Sequence, residues 1–189
     1  MRNAVNVLLG TLLALCAACT QAAAPSAAPD SLKPLLSTLN ERLNIGDLVA
    51  LTKWDSGKPI QDSPREAQVI ANARTLAAEH SLDPDDIAQL IAAQMEANKL
   101  VQYGLLARWQ AAGAAPDTPR PDLAAQIRPR LDELQKRLLA QYAGFAPHRQ
   151  DPDCPAWLTN VRSGMTTDAL HELALIRASG ELCIRPKPL

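Results

Sequence analysis

The sequence predicts an all-α fold, on three observations. Hydrophobic residues make up 47% of the 189-residue chain but aromatics only 3%. Ala and Leu dominate over Val, Ile, Tyr and Phe, a balance that favours helices over sheets. Apolar residues recur at alternating four- and three-residue spacing over long stretches, the period of one helix face. Between those stretches stand local stop and start signals, Gly57 with Pro59 and then Asp83-Pro84-Asp85-Asp86. The length suits one domain with a sizeable core. With 19 Lys plus Arg against 20 Asp plus Glu the net charge is -1, which excludes the overall basic excess of a nucleic-acid binder. Any cationic function must be local.

Along the chain the expected division is a signal peptide over 1–22, a linker over 23–30 and one folded domain over 31–189. Met1-Arg2-Asn3 precede the largely apolar run Ala4 to Ala18, and small residues follow. That pattern is too short to span a bilayer and reads as an export signal cleaved after Ala22. The alternative is a lipoprotein acylated at Cys19, although Cys16 stands three positions before it, where a Leu is usual. Either way the expected location is the periplasm or the outside of the cell. Ala23 to Asp30 is Ala/Pro/Ser-rich with no packing pattern. Export leaves Cys154 and Cys183 in the mature chain. In an oxidising compartment such a lone pair is expected as a disulfide, two buried free thiols being the alternative. A metal site is not expected, because His80, His148 and His171 form no ligand pair at tight spacing with the cysteines.

The first helix is predicted from Ser31 to about Asp55. Its inner seam is Leu35, Leu39, Arg42, Gly46, Val49 and Lys53. A stripe that should be buried thus carries two cations eleven residues apart, roughly 16 Å along the axis at the α-helical rise. Either cation alone can snorkel to water; two on one seam suggest a shared pocket. Gly57 and Pro59 stop this helix. Ser63-Pro64-Arg65-Glu66 starts a second, with Ser63 as N-cap, Pro64 at the first helical position and Glu66 closing a capping box. Val69, Ala73 and Leu76 face inward, to about His80. The third helix follows Asp83, its seam Ile91, Met95, Asn98, Gln102, Leu105 and Trp109. Asn98 and Gln102, one turn apart, must find hydrogen-bond partners if buried, either fixing register or meeting a ligand. Gly113 to Pro121 is a loop. A fourth helix with Leu123, Ile127, Leu131, Leu134 and Leu138 inward runs to about Ala143. Pro129 either kinks it or places Arg128 near a helix start. Pro147 to Pro155 reads as irregular, and Thr167 to Ser179 as a last amphipathic helix.

The inward polar set is therefore Arg42, Lys53, Arg65, Asn98, Gln102 and Arg128, with Glu66 as the nearby acid. Cations fixed in a helical core cost desolvation unless an anion arrives, which points to a small ligand with more than one carboxylate. The set contains no activated nucleophile, metal cage or cofactor box. Any chemistry there needs only positioning and electrostatic stabilisation.

These residues resemble the all-helical AroQ-type chorismate mutases: Arg42, Lys53 eleven on, Asp62, the Arg65-Glu66 pair, and Asn98 and Gln102 thirty-three and thirty-seven beyond Arg65. The export signal, the extra C-terminal helical region and the Cys pair resemble their secreted, gamma subclass. The resemblance implies a cofactor-free and metal-free isomerase that rearranges chorismate to prephenate, a step of phenylalanine and tyrosine biosynthesis. It implies that Arg42, Arg65 and Arg128 hold the two carboxylates. Lys53 and Gln102 would donate to the ether oxygen, Glu66 would take the ring hydroxyl, and Asn98 would support a carboxylate, with Asp62 in the binding set. Asn98 stands where a small hydroxyl residue is often found, and Arg130 lies two residues from Arg128. A homodimer is implied, each pocket built within one chain. The competing reading is a non-catalytic periplasmic helical module that binds a small dicarboxylate or a protein partner.

Overall fold

A computed structural model describes residues 24–184 of the chain. The signal-peptide reading, with Cys16 and Cys19, falls on residues 1–23 and lies outside the described residues. Among the described residues every regular element is helical, in the order α1 (Leu32–Ser56), α2 (Ser63–Ala77), α3 (Pro84–Ala112), α4 (Arg128–Phe145), α5 (Cys154–Arg162) and α6 (Ala169–Ala178). The helix α3, 29 residues long, is the spine, with α1, α2 and α6 packed along it and α4 packed on α1.

Helix ends follow local chemistry. Gly57 takes the left-handed conformation at φ 63° that glycine adopts without penalty, and its N–H closes on the Lys53 carbonyl at 2.9 Å. Asp83 accepts from the N–H groups of Asp85 and Asp86 at the start of α3, and Asp168 does the same for Leu170 and His171 at α6. The start of α2 differs from the sequence expectation. Its N-cap is Asp62, whose Oδ1 accepts from Arg65 N at 3.2 Å, and Ser63 is already inside the helix. Glu66 still reaches back, its Oε1 accepting from Asp62 N at 3.3 Å.

Pro129 is accommodated by a change of winding. Leu123–Ile127 form a π-helical turn that leads directly into α4. Proline lacks an N–H and its ring crowds the carbonyl four residues back, so the wider turn just before it relieves the contact and leaves Arg128 as the first residue of α4. The nine-residue α5 begins at Cys154, inside the stretch read as irregular, and was missed although Cys154, Trp157, Leu158 and Val161 carry the i, i+3, i+4, i+7 spacing of one buried helix face.

Leu35, Leu39 and Leu43 of α1, Ile87, Ile91 and Val101 of α3, and Leu138, Tyr142 and Phe145 of α4 are fully buried together. A smaller cluster of Ile45, Ile127 and Leu134 ties α1 to the entry of α4. Trp54 and Trp109 meet edge to face at 6.0 Å, closing one end of the α1–α3 pair. His171 fastens α6 to α1, its Nδ1 2.7 Å from Asp168 and its Nε2 3.0 Å from Asp47. Burial pushes the Asp47 carboxyl up, and His171 partly offsets this. At Asp168 burial acts in the same direction, but hydrogen bonds from His171 and Leu170 outweigh it and hold the carboxyl below its ordinary range. The stretch read as a linker is pinned at Ser26: its N–H and hydroxyl both donate to Asp153, and Trp157 Nε1 donates to its carbonyl.

Cys154 and Cys183 form a disulfide, as the sequence led one to expect. The tail it holds is also gripped by buried Arg149, which donates to the carbonyls of Glu181 and Leu182 and pairs with Asp86. Cys154→Ser with Cys183→Ser should lower stability by roughly 3.5 kcal/mol, the loop-closure entropy of a crosslink of this span. Urea unfolding of oxidised wild type against the double variant reads it; equal midpoints would remove the bond's stabilising role.

Candidate active site

One cavity of about 220 Å³ opens between α1, the first turn of α2, the middle of α3 and the first turns of α4. Its walls are apolar at Val49, Ile60, Val69, Met95, Leu123, Ile127 and Leu131. Every polar residue singled out in the sequence lines it: Arg42, Lys53, Asp62, Arg65, Glu66, Asn98, Gln102 and Arg128. Arg130 instead points to Glu41, at 3.4 Å, and is not among the lining residues.

Arg42 and Lys53 come from the same face of α1, as the seam predicts. Arg42 is only 8% exposed, and its Nη1 donates to the Leu131 carbonyl at 3.0 Å, bridging to α4. Its Nε is buried without a protein acceptor. Burial draws its pKa down to about 10 against the pull of Asp132, so the guanidinium stays charged at neutral pH. Lys53 is steadied by the turn that ends its own helix, its Nζ 2.7 Å from the Pro59 carbonyl. Arg65 and Glu66 sit in the first turn of α2, where unpaired N–H groups add positive potential. Among the described residues Lys53, Arg65 and Arg128 make no ion pair with a carboxylate.

Asn98 and Gln102 are joined. Gln102 Nε2 donates to Asn98 Oδ1 at 2.7 Å, and Asn98 Nδ2 donates to the Arg42 carbonyl at 3.2 Å. Gly46 makes room for this chain: a Cβ there would lie 3.0 Å from Asn98 Nδ2. Asn98 Oδ1 is thereby engaged with Gln102 and one of its two amide hydrogens with the Arg42 carbonyl, so Asn98 orients Gln102 while its second N–H remains available to a carboxylate. Gln102 keeps its second N–H, since an amide nitrogen carries two.

Four more polar residues line the cavity that the sequence reading missed: Gln94, Lys99, Asp132 and Gln135. Gln94 lies one turn before Asn98 on the same face and donates to the Ala178 carbonyl. Asp132 and Gln135 follow Arg128 by four and seven residues, the spacing of a shared helix face, so a signal existed. Lys99 gave a weaker one: it follows Met95 by four residues and precedes Gln102 by three, but it lies about 100° round the helix from Asn98.

The chain matches the family model described as chorismate mutase type II over residues 33–103. It is 31% identical to the secreted chorismate mutase of Mycolicibacterium smegmatis, over 86% of this chain and 90% of that one. It is also 29% identical to the secreted chorismate mutase of Mycobacterium tuberculosis, over 95% and 92% respectively. The crystal structure of a chorismate mutase from Burkholderia phymatum superposes with a TM-score of 0.79 at 44% identity, covering 82% of this chain and 98% of that one. The chain belongs to the chorismate mutases. As a chorismate mutase it is an isomerase that rearranges the dicarboxylate chorismate to prephenate, and the cavity has the charge for such a substrate. Five cations and three carboxylates line it, an excess of two positive charges against the two negative ones of chorismate.

Proposed function

We propose that this cavity is where the rearrangement takes place, with Arg42, Arg65 and Arg128 holding the two carboxylates, Lys53 and Gln102 donating to the ether oxygen, and Glu66 accepting from the ring hydroxyl. The observation that carries the reading is the convergence of unpaired cations from α1, α2 and α4 on one cavity beside a buried amide donor. In the reaction the ether carbon–oxygen bond breaks as a carbon–carbon bond forms within the same molecule. No proton, electron or water is taken up. Negative charge grows on the departing ether oxygen, so the protein's task is to fold the substrate into a chair and to place donors where that charge appears. The arginines do the first. The guanidinium fork suits a carboxylate, and the unpartnered Nε of Arg42 is a donor a carboxylate can use. Lys53 and Gln102 do the second. Asp62 contributes by capping α2, which sets where Arg65 and Glu66 begin.

Arg65→Ala should reduce kcat/KM by about ten- to a hundredfold, the worth of one charged hydrogen bond, measured by the loss of chorismate absorbance. Unchanged kcat/KM in a folded Arg65→Ala protein would move the site elsewhere.

The reading extends to location and assembly. The N-terminal pattern and the relatives named as secreted support action outside the cytoplasm, which N-terminal sequencing of the exported chain reads directly. A homodimer is supported by the apolar side chains left exposed on adjoining α3 and α6, namely Leu100, Tyr103, Leu173 and Ile176; light scattering giving a monomer mass would exclude it.

A further inference from the structure

Glu66 presents a difficulty for a dianionic substrate. A carboxylate in the wall of the cavity repels both substrate carboxylates, yet the ring hydroxyl needs an acceptor that stays in place. The side chain opposite it is Lys99, which reaches from α3 across to α2. Lys99 Nζ donates to Glu66 Oε2 at 2.9 Å, while Glu66 Oε1 accepts from Asp62 N at 3.3 Å. Both carboxylate oxygens are thus anchored, one to each side of the α2–α3 gap. The pair is shielded, with side-chain exposures of 22% for Lys99 and 25% for Glu66, so solvent screens it less than it would a surface pair. Without Lys99 the lining would carry one excess positive charge rather than two.

We propose that Lys99 is a positioning residue for Glu66 that also cancels its charge, so that the cavity keeps a fixed hydrogen-bond acceptor for the ring hydroxyl without repelling the incoming dicarboxylate. This rests on the assignment of Glu66 to the substrate site. Lys99 acts through Glu66 rather than on the reacting atoms. Its loss should therefore fall on KM, where ground-state repulsion is felt, more than on kcat. A carboxylate retains two lone pairs on each oxygen, so Glu66 can accept from Lys99 and from the hydroxyl together.

The test is a double-mutant cycle read in steady-state chorismate kinetics. Lys99→Met, which keeps the apolar stem, should raise KM about tenfold while kcat changes less than about threefold, the tenfold step being one charge contact of ordinary size. Lys99→Arg should restore most of the affinity. In a Glu66→Gln background Lys99→Met should have almost no further effect on KM, because the charge it balances is gone. An unchanged KM in Lys99→Met overturns the proposal. A KM increase of the same size with and without Glu66 also overturns it, since Lys99 would then bind a substrate carboxylate directly. If Glu66→Gln alone leaves kcat and KM untouched, the assignment of Glu66 to the site is what fails, and this inference fails with it. Thermal melts of each variant separate these outcomes from loss of fold.

Discussion

Lys53→Ala is expected to lower kcat by about a hundred- to a thousandfold, or roughly 2.7 to 4 kcal/mol, the scale set by removing one preorganised donor from a developing oxyanion. The size follows from where the ammonium is held. Lys53 lies in the last turn of α1, and the Pro59 carbonyl, brought back by the turn at Gly57, accepts one of its hydrogens at 2.7 Å. An ammonium has three N–H donors, so two remain for substrate, and the group needs little reorganisation when charge appears on the ether oxygen. Ground-state chorismate carries little charge there, so the loss should appear in kcat rather than in KM. Lys53→Ala also removes the Pro59 contact, which faces the loop into α2. A matching thermal melt is needed to show that the loop and helix start survive. A folded Lys53→Ala protein with wild-type kcat would take Lys53 out of the mechanism. Loss of wild-type activity on adding a chelator would contradict a cofactor-free reaction.

Much of this arrangement is legible in the sequence because helix faces and helix ends are written locally. The spacing of Arg42 and Lys53 alone puts them on one wall, since eleven residues are close to three whole turns. Gly57 and Asp83-Pro84 mark helix ends through chemistry confined to a few residues. The start of α2 is displaced by one residue for an equally local reason. Asp62 and Ser63 are both good caps, and Pro64 does not discriminate between them, because the second helical N–H is as free of intrahelical partners as the first. What sequence does not supply is the relative rotation of helices. Whether Arg128 or Arg130 faces the cavity depends on the π-helical turn at Leu123–Ile127, a response to Pro129 that periodicity does not encode. The spacing of Lys99 from Met95 and Gln102 places it beside the seam of α3, but its pairing with Glu66 depends on how closely α2 and α3 pack, a relation between two helices and not a pattern on either. Asn98 is legible as a buried amide but its partner on α1 is not, since the bond to the Arg42 carbonyl depends on Gly46 allowing α1 close enough.

Gln102→Glu should turn a broad pH profile into one that falls from acid toward neutral pH, with the fold intact. Gln102 is 5% exposed, and its Nε2 already gives one hydrogen to Asn98 at 2.7 Å. The second hydrogen is the one proposed to meet the ether oxygen. An amide has no proton to lose in the working range, so the native enzyme should keep its turnover from about pH 5 to 8, a span in which unperturbed side chains other than His do not change charge. A glutamate can donate only while protonated. Its pKa starts near 4.3 in water, is raised by burial and lowered by the surrounding cations, and above whatever value results it becomes an anion facing the growing charge. Gln102→Glu should then lose activity progressively as pH rises, because both the donor and the sign of the local field are lost together. Asn98 stays tied to the Arg42 carbonyl through Nδ2, so a protonated carboxyl, with one hydrogen where the amide has two, gives up the bond to Asn98 Oδ1 whenever it donates to the ether oxygen, and even the acid limb should fall below the native rate. The two side chains are nearly equal in size, so packing against α1 is preserved. The measurement is kcat/KM against pH at constant ionic strength for both proteins, with circular dichroism at each end of the range. A native profile that already falls steeply from acid to neutral pH, or a Gln102→Glu profile superimposable on the native one, would leave Gln102 as a core amide that holds Asn98 in register and would assign the ether oxygen to Lys53 alone.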